Sequence, residues 1–487
     1  MKTNKKNIIW VLLTVFIFIL VDGYFIAHKN LYFNLVPFVL IVILFAIFSL
    51  DKAILLIAFF VPLSIPLRTF YPNLGIDMYL PTEPLMVGIL ILFVFKILKE
   101  KTFDKKILKH PVSIVIYFSL FWILITALTS TMPVVSIKFL LSRIWFLVSF
   151  YFLAALLFRN PKNYKLFWGL YMTSLLIVIG YTIKNLLSYG LFDQKAANFV
   201  CSPLYNDHTA YGAALAMAFF ATLGMIFDNK IKGLWRVLTF IAAIIFVFAL
   251  VFSYSRAAWL SFFVAIVVLV IILLKIKFKV IVFFSLILFI SGGLIYNKLM
   301  DDLEKNRQDS STSFAKHIES MTNISTDASN VERLNRWSCA IRMFEEKPLF
   351  GWGPGTYMFQ YAPFQLSYEK TIISTNDGDG GNVHSEYLGP LVESGILGAL
   401  YFILILIFSM ITGLRAYKYA INKEIKVLTL FSFLGLVTYF THGILNNFLD
   451  TDKLSSIFWA SIAFLVVADI YFTKKPKKKV PKQCCSK

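Results

Sequence analysis

Apolar runs of about twenty residues recur from one end of the chain to the other, separated mostly by short polar gaps. A helix needs about 20 residues to cross roughly 30 Å of hydrocarbon. The runs lack the two-residue alternation of a barrel strand, so each predicts a spanning helix that satisfies its own backbone. Fourteen such spans are expected, near 8–27, 31–50, 52–68, 82–98, 112–130, 141–158, 166–187, 209–227, 234–253, 257–274, 278–297, 386–412, 425–446 and 455–472. The third is crowded by Pro62, Pro66 and Arg68, which leaves a range of 12–14 spans. The first follows MKTNKK, is long for a signal sequence and shows no small-residue cleavage site, so it is read as a retained span.

One gap breaks the rhythm. Lys298 to Ser385 is 88 residues rich in Ser, Asn, Asp and Gly, far beyond an ordinary connection. Its middle, VERLNRWSCAIRMFEEK, places Leu334, Trp337, Ala340, Ile341 and Phe344 at spacings of three and four, an amphipathic helix that Pro348 ends. The expected fold is therefore an all-α polytopic transmembrane bundle with one large, helical extracytoplasmic loop. It divides into an N-terminal bundle over 1–297 (about 11 spans), the loop over 298–385, C-terminal helices over 386–473 (about 3 spans) and a basic tail over 474–487.

Composition agrees: 58% of the 487 residues are hydrophobic, 15% are charged and mean hydropathy is +0.73, outside the range of soluble domains. The net charge of +20 would suit nucleic acid if it were gathered on one surface, but it is parcelled out between spans, and no nucleic-acid partner is expected. With the N-terminus in the cytoplasm, the inner segments hold 30 of the 47 Lys and Arg residues in 71 of the 487 positions. The positive-inside rule then places both termini in the cytoplasm and the long loop outside. Four cysteines fit no metal spacing; Cys201 and Cys339 both face outward in this topology and are expected either to pair or to remain free thiols, while Cys484 and Cys485 lie in the tail.

The chemistry gathers at the outward face. In FSYSRAAWL, Arg256 opens the tenth span, so that its guanidinium and the free N–H groups of the helix start present one positive field, an arrangement that suits an anion; a membrane-surface anchor is the other reading. Arg333, Arg336 and Arg342 lie on the loop helix, the first two adjacent on one face. His384 follows a glycine-rich stretch; if Asn382 caps the next span, His384 falls in its first turn, where the helix dipole favours the neutral, proton-accepting ring. His208 and His442 lie near outer span ends and are expected to be hydrogen-bonded inside the bundle. Gly351, Gly353 and Gly355 follow no strand and read as a turn, not a nucleotide fingerprint. The Asp377–Asn382 stretch lacks the spaced glutamate of a calcium loop and reads as a hinge. No carboxylate cluster with metal-ligand spacing faces outward, so neither metal nor cofactor is expected. One base and several cations facing the membrane suit a lipid that carries phosphate or diphosphate.

These residues resemble the O-antigen ligase and O-antigen polymerase superfamily of bacterial membrane glycosyltransferases. The likeness rests on Ser253-Tyr-Ser255-Arg256-Ala-Ala-Trp259-Leu260, then Arg333-x-x-x-Trp337-x-x-Ala340-x-x-Met343-Phe344, Pro348-Leu-Phe-Gly351-x-Gly353-Pro-Gly355, His384-Ser385-x-x-Leu388 and Glu393-x-Gly395-Ile-x-Gly398, in that order. Asn206-Asp-His208 looks like the family's polar entry to a span, whereas 298–330 has no counterpart. The resemblance implies a metal-independent, inverting transfer of a glycan from undecaprenyl diphosphate to a glycan or lipid-glycan acceptor at the outer face of the cytoplasmic (inner) membrane. By carry-over, His384, Arg256 and Arg333 are the expected catalytic set, with Arg336, Arg342, Asn206 and His208 as substrate-binding candidates. The family's motifs do not separate ligase from polymerase. The rival reading, a transporter or flippase of lipid-linked oligosaccharide, predicts charged residues near mid-membrane instead of at one edge.

Overall fold

The computed structural model describes residues 50–71, 78–100, 103–277, 328–366 and 381–474, together with 18, 21, 22, 279 and 280. Nearly all of the spans expected at 8–27, 31–50 and 278–297, together with the 298–327 linker and the basic tail beyond Lys474, lies outside the described residues.

Helices of ten or more residues are labelled in chain order: α1 Leu50–Phe60, α2 Thr82–Glu100, α3 Pro111–Leu128, α4 Pro133–Leu147, α5 Pro161–Tyr189, α6 His208–Ile226, α7 Leu234–Phe252, α8 Arg256–Leu273, α9 Ala328–Glu346, α10 Leu388–Tyr419, α11 Lys423–Leu445 and α12 Asp452–Tyr471. A π-turn over Val148–Leu153 carries α4 on to Leu157. The named strands among the described residues are β1 (Ile65–Pro66) and β2 (Tyr79–Leu80), an antiparallel pair. The fold is thus an all-α polytopic bundle. Nine helices among the described residues are long and apolar enough to cross a membrane.

Two expected spans come out differently. The run at 52–68 is continuously helical only over Lys52–Leu63, too short to cross, with a separate 3-10 turn at Leu67–Thr69; the prolines that weakened the prediction end the helix, Pro62 in a single 3-10 turn and Pro66 in β1. The run at 82–98 is helical throughout as α2, but Glu83, Lys96, Lys99 and Glu100 make it more charged than the nine.

Small residues decide which helices lie inside. The stretch HTAYGAALAMAF of α6 offers Ala and Gly on most faces, and backbones approach closely where side chains are small. Accordingly α6, α11 and α12 are about four-fifths buried, while α3, α7 and α8 turn bulky apolar faces outward. The antiparallel sequence of helices gives the bundle two ends. One carries 129–132, 190–207, 253–255, 347–366, 381–387 and 446–451. The other carries 103–110, 158–160, 227–233 and 420–422. At that second end Lys165 Nζ bridges Asp228 (2.7 Å) and Glu424 (2.9 Å), Lys230 also reaches Glu424, and Arg159 pairs with Asp104.

Candidate functional site

The first end is built around a break in α10. Gly395 has φ +68 inside an otherwise helical run, so the carbonyls just before it lose their intrahelical donors. The 348–355 loop replaces them: Trp352 N donates to Val392 O (3.0 Å) and Gly353 N to Glu393 O (2.9 Å), while Ile396 N donates to Pro348 O (2.9 Å). Trp122 Nε1 of α3 takes the remaining carbonyl, Ser394 O, at 2.7 Å. A side chain at 395 would bring its Cβ within 2.0 Å of Leu349 O, so glycine is required by space as well as by φ. The PLFGWGPG and ESGILG stretches are therefore two halves of one joint, and the three glycines at 351, 353 and 355 form a turn with positive φ at each.

The polar side chains hang from this joint and from helix starts. Ser255 Oγ caps α8 by accepting from Ala258 N (3.3 Å), which sets Arg256 at the first helical position, half-buried. Gly212 of α6 lies beneath; a Cβ there would stand 2.9 Å from both Ser255 and Ala258 Cβ, so its absence lets α6 close on this turn. Asp207 caps α6 in the same manner, accepting from Thr209 N (2.8 Å) and pairing with His208 Nδ1 (3.0 Å). From the loop helix α9, Arg333 Nε donates to Leu445 O (3.2 Å) at the end of α11. His442, one turn back on α11, is buried and stands within electrostatic reach of Asp207, Arg333 and His208, and against the Ala257 backbone.

His384 occupies the segment between loop and α10. It does not lie in a helical first turn: α10 begins at Leu388, and Asn382 caps nothing, its Oδ1 accepting instead from Val383 N (2.9 Å) and Asn447 Nδ2 (2.6 Å). Ser385 Oγ takes the free Tyr387 and Leu388 N–H groups at 3.3 and 3.4 Å. His384 itself has φ +55, a left-handed conformation uncommon outside glycine, and Trp337 Nε1 of α9 approaches its carbonyl at 3.5 Å. Burial, and next the Arg333 guanidinium, hold its imidazole down to about 4; Asp207 works the other way. The ring is thus neutral at pH 7. Burial opposes ionisation of Asp207, but its bonds with His208 and Thr209 outweigh it and keep the carboxyl well below the ordinary range.

The remaining candidates divide. Arg336 is also within reach of His384, yet it is buried, with Nε on Glu332 (2.7 Å), its guanidinium 4.0 Å from the Tyr361 ring and pressed against Gly381. Arg342 lies nine residues along α9 from Arg333, about 13 Å at 1.5 Å per residue, and its Nε donates to Phe364 O at 2.8 Å. Asn206 Nδ2 donates to Tyr79 OH of β2 at 2.6 Å. Cys201 and Cys339 are buried and not joined in a disulfide. Sequence reasoning passed over four charged residues that meet beside the His384 segment: Arg143, Glu386, Glu393 and Asp450. Of the four, Glu393 alone falls on a motif position, at the start of Glu393-x-Gly395-Ile-x-Gly398, and there it was read for the likeness and given no role of its own; the spacing of the four in the chain does not reveal that they meet.

Among known proteins, residues 241–403, a third of the chain, match the family model described as O-antigen ligase. That segment runs from α7 through Arg256, Arg333 and His384 to the joint at Gly395. A search of curated proteins finds no match.

Proposed function

We propose that the chain is a membrane glycosyltransferase of the O-antigen ligase and O-antigen polymerase superfamily, and that it moves a glycan from undecaprenyl diphosphate to a sugar hydroxyl at the outer face of the cytoplasmic membrane. The observation that carries this reading is the gathering of a neutral His384 and the cationic Arg333 with the Arg256-bearing start of α8 at one end of the bundle. In the proposed step the acceptor oxygen attacks the anomeric carbon as its proton passes to the His384 imidazole. The bond from that carbon to the diphosphate breaks, and its electron pair leaves with the lipid diphosphate. Arg256 and Arg333 stabilise the charge that grows there, helped by the positive end of the α8 dipole. A single displacement of this kind inverts the anomeric centre. His208 would flank the donor and Arg336 would add to the positive field. Asn206 and Arg342 we assign to positioning, through the β2 strand and the 362–364 turn that they hold.

The outward orientation draws support from charge. Lys105, Lys106, Arg159, Lys230 and Lys232 all lie at the bundle end opposite His384, as the positive-inside rule expects of a cytoplasmic face. The test is reconstitution of the purified protein with lipid-linked oligosaccharide extracted from cells that make it. A ladder of products identifies a polymerase, a single attachment to a second lipid identifies a ligase, and passage across the bilayer with no new bond would refute the enzyme reading.

A further inference from the structure

Arg333 and His384 come to the site on separate elements, α9 and the segment before α10, and their direct link is long, Trp337 Nε1 approaching His384 O at 3.5 Å. The closer ties run through the end of α11. A helix leaves its last four carbonyls without intrahelical donors. Two of those of α11 are taken by the site itself: Leu445 O accepts from Arg333 Nε (3.2 Å), and Gly443 O accepts from the backbone N of Glu386 (2.8 Å), two residues past His384. One helix end therefore holds both the cation and the segment that carries the base.

The Glu386 side chain extends that hold into the turn that follows. Its Oε1 accepts from Tyr439 OH of α11 (2.6 Å), Phe448 N (2.8 Å) and Leu449 N (2.9 Å). The residue is 6% exposed, so these bonds stand in place of water; without them Leu449 N would lose this acceptor and Phe448 N would keep Tyr439 OH, at 3.2 Å. On the other flank of His384, Asn382 Oδ1 accepts from Asn447 Nδ2 of the same turn (2.6 Å). A Cβ at Gly443 would stand 3.1 Å from Glu386 Cγ, so glycine lets the two segments dock closely. Burial, and next Asp450, push the Glu386 carboxyl up to about 7, against the bonds from Tyr439 and Leu449 and the charge of Arg143. The charged groups that act on His384 are Arg333, Asp207, Arg336 and Glu332. A carboxyl near 7 has the chemistry of a base, but three donors fixed in the fold already occupy its Oε1, which is the bonding of a support.

We propose that Glu386 is a positioning residue for the transfer: by gripping the end of α11 and the 446–451 turn, it sets the His384 imidazole against Arg333 without itself exchanging a proton with substrate. The assignment rests on the transferase reading above and supplies the support that reading needs, since a misplacement of about 1 Å at a reacting group costs on the order of a hundredfold in rate.

Three variants of the reconstituted full-length protein test it, assayed with extracted lipid-linked oligosaccharide across pH. Glu386→Leu removes the acceptor oxygen, Glu386→Gln restores one while lacking the ionisable group, and Asn447→Ala cuts the exposed tie to Asn382. Glu386→Leu is expected to lower kcat roughly tenfold or more, with donor KM within about threefold of wild type. Its acid limb in kcat/KM is expected to rise by about one pH unit or more, because a His384 that drifts from Arg333 loses a repelling cation. Glu386→Gln is expected to recover both kcat and the wild-type limb, and Asn447→Ala to move both in the direction of the leucine variant by less. Loss of transfer in Glu386→Gln as deep as in Glu386→Leu would make the carboxyl a proton carrier and overturn the assignment. An unmoved acid limb in Glu386→Leu would also overturn it, whatever its kcat, by reducing the residue to a structural role. Should Glu386→Leu not fold, a wild-type kcat and limb in Asn447→Ala would do the same. Absence of transfer by the wild-type protein would instead count against the transferase reading.

Discussion

At the scale of single residues, His384 carries the account, and two of its properties make separate demands. Its φ of +55 is one that Asn and Gly adopt readily, so His384→Asn is expected to fold and insert normally while removing the base. Its lowered pKa fixes the sign of the acid limb. A base works only when deprotonated, so activity should persist well below the ordinary histidine range and fall as pH drops through about 4. Arg333→Gln removes a repelling cation, which stabilises the imidazolium and moves that limb upward toward 6.5, alongside any loss in rate. The pH dependence of kcat/KM checks both, and a wild-type limb already at 6.5 would remove His384 as the group titrating there. Arg256 and His384 stood out as candidates in the sequence because a charged or titratable group at a span border is conspicuous against hydrocarbon, and Arg333 because it falls on the amphipathic loop helix; their roles belong to the proposal. His442 was set aside, since a lone histidine inside a span has an ordinary explanation, and its position beside Asp207 and Arg333 depends on how α11 packs.

At the scale of elements, the joint between the 348–355 loop and α10 positions the site. Gly395→Ala forces an L-residue into a backbone conformation, φ +68 and ψ −169, that is essentially confined to glycine and costs of order 1–3 kcal/mol, and places a methyl group against Leu349 O. The variant is expected to lower the thermal midpoint in detergent by several degrees and to reduce transfer together with it; a fully stable, active Gly395→Ala would mean that the break does not hold the loop. Helix ends were read well where the polar flanks are abrupt: 234–253 was expected against Leu234–Phe252, and 257–274 against Arg256–Leu273. They were read poorly where charges sit inside a span. α4 begins at Pro133 and not near 141, because Lys138 and Arg143 mask its first turns in a hydropathy pattern. Likewise the first turn of α10 was misplaced because Asn382 is an ordinary capping residue by type, and its engagement with Asn447 is a tertiary choice. The break at Gly395 had a sequence signal in the paired glycine-rich stretches, but only their contact shows that they complete each other.

At the scale of the whole molecule, the bundle has two chemically distinct ends, and the distribution of Lys and Arg along the sequence already implied them. A cysteine at Lys195, exposed at the His384 end, is expected to react with a membrane-impermeant maleimide in intact cells. One at Lys230, at the opposite end, is expected to react only after permeabilisation, and the reverse pattern would invert the topology. Both are placed in a chain whose tail cysteines are replaced, Cys484→Ser and Cys485→Ser; Cys201 and Cys339 should not interfere, since both are buried, and burial pushes the Cys201 thiol up to about 12. What the sequence could not convey at this scale is how α3, α4, α10 and the 446–451 turn come together beside the His384 segment. The account as a whole stands on one stoichiometry, measured in proteoliposomes that contain lipid-linked oligosaccharide. With the wild-type protein, each new glycosidic bond should appear with one undecaprenyl diphosphate released, and His384→Asn should abolish both while remaining folded. Bond formation at the wild-type rate in that variant, or glycolipid crossing the bilayer with no diphosphate released, would contradict it.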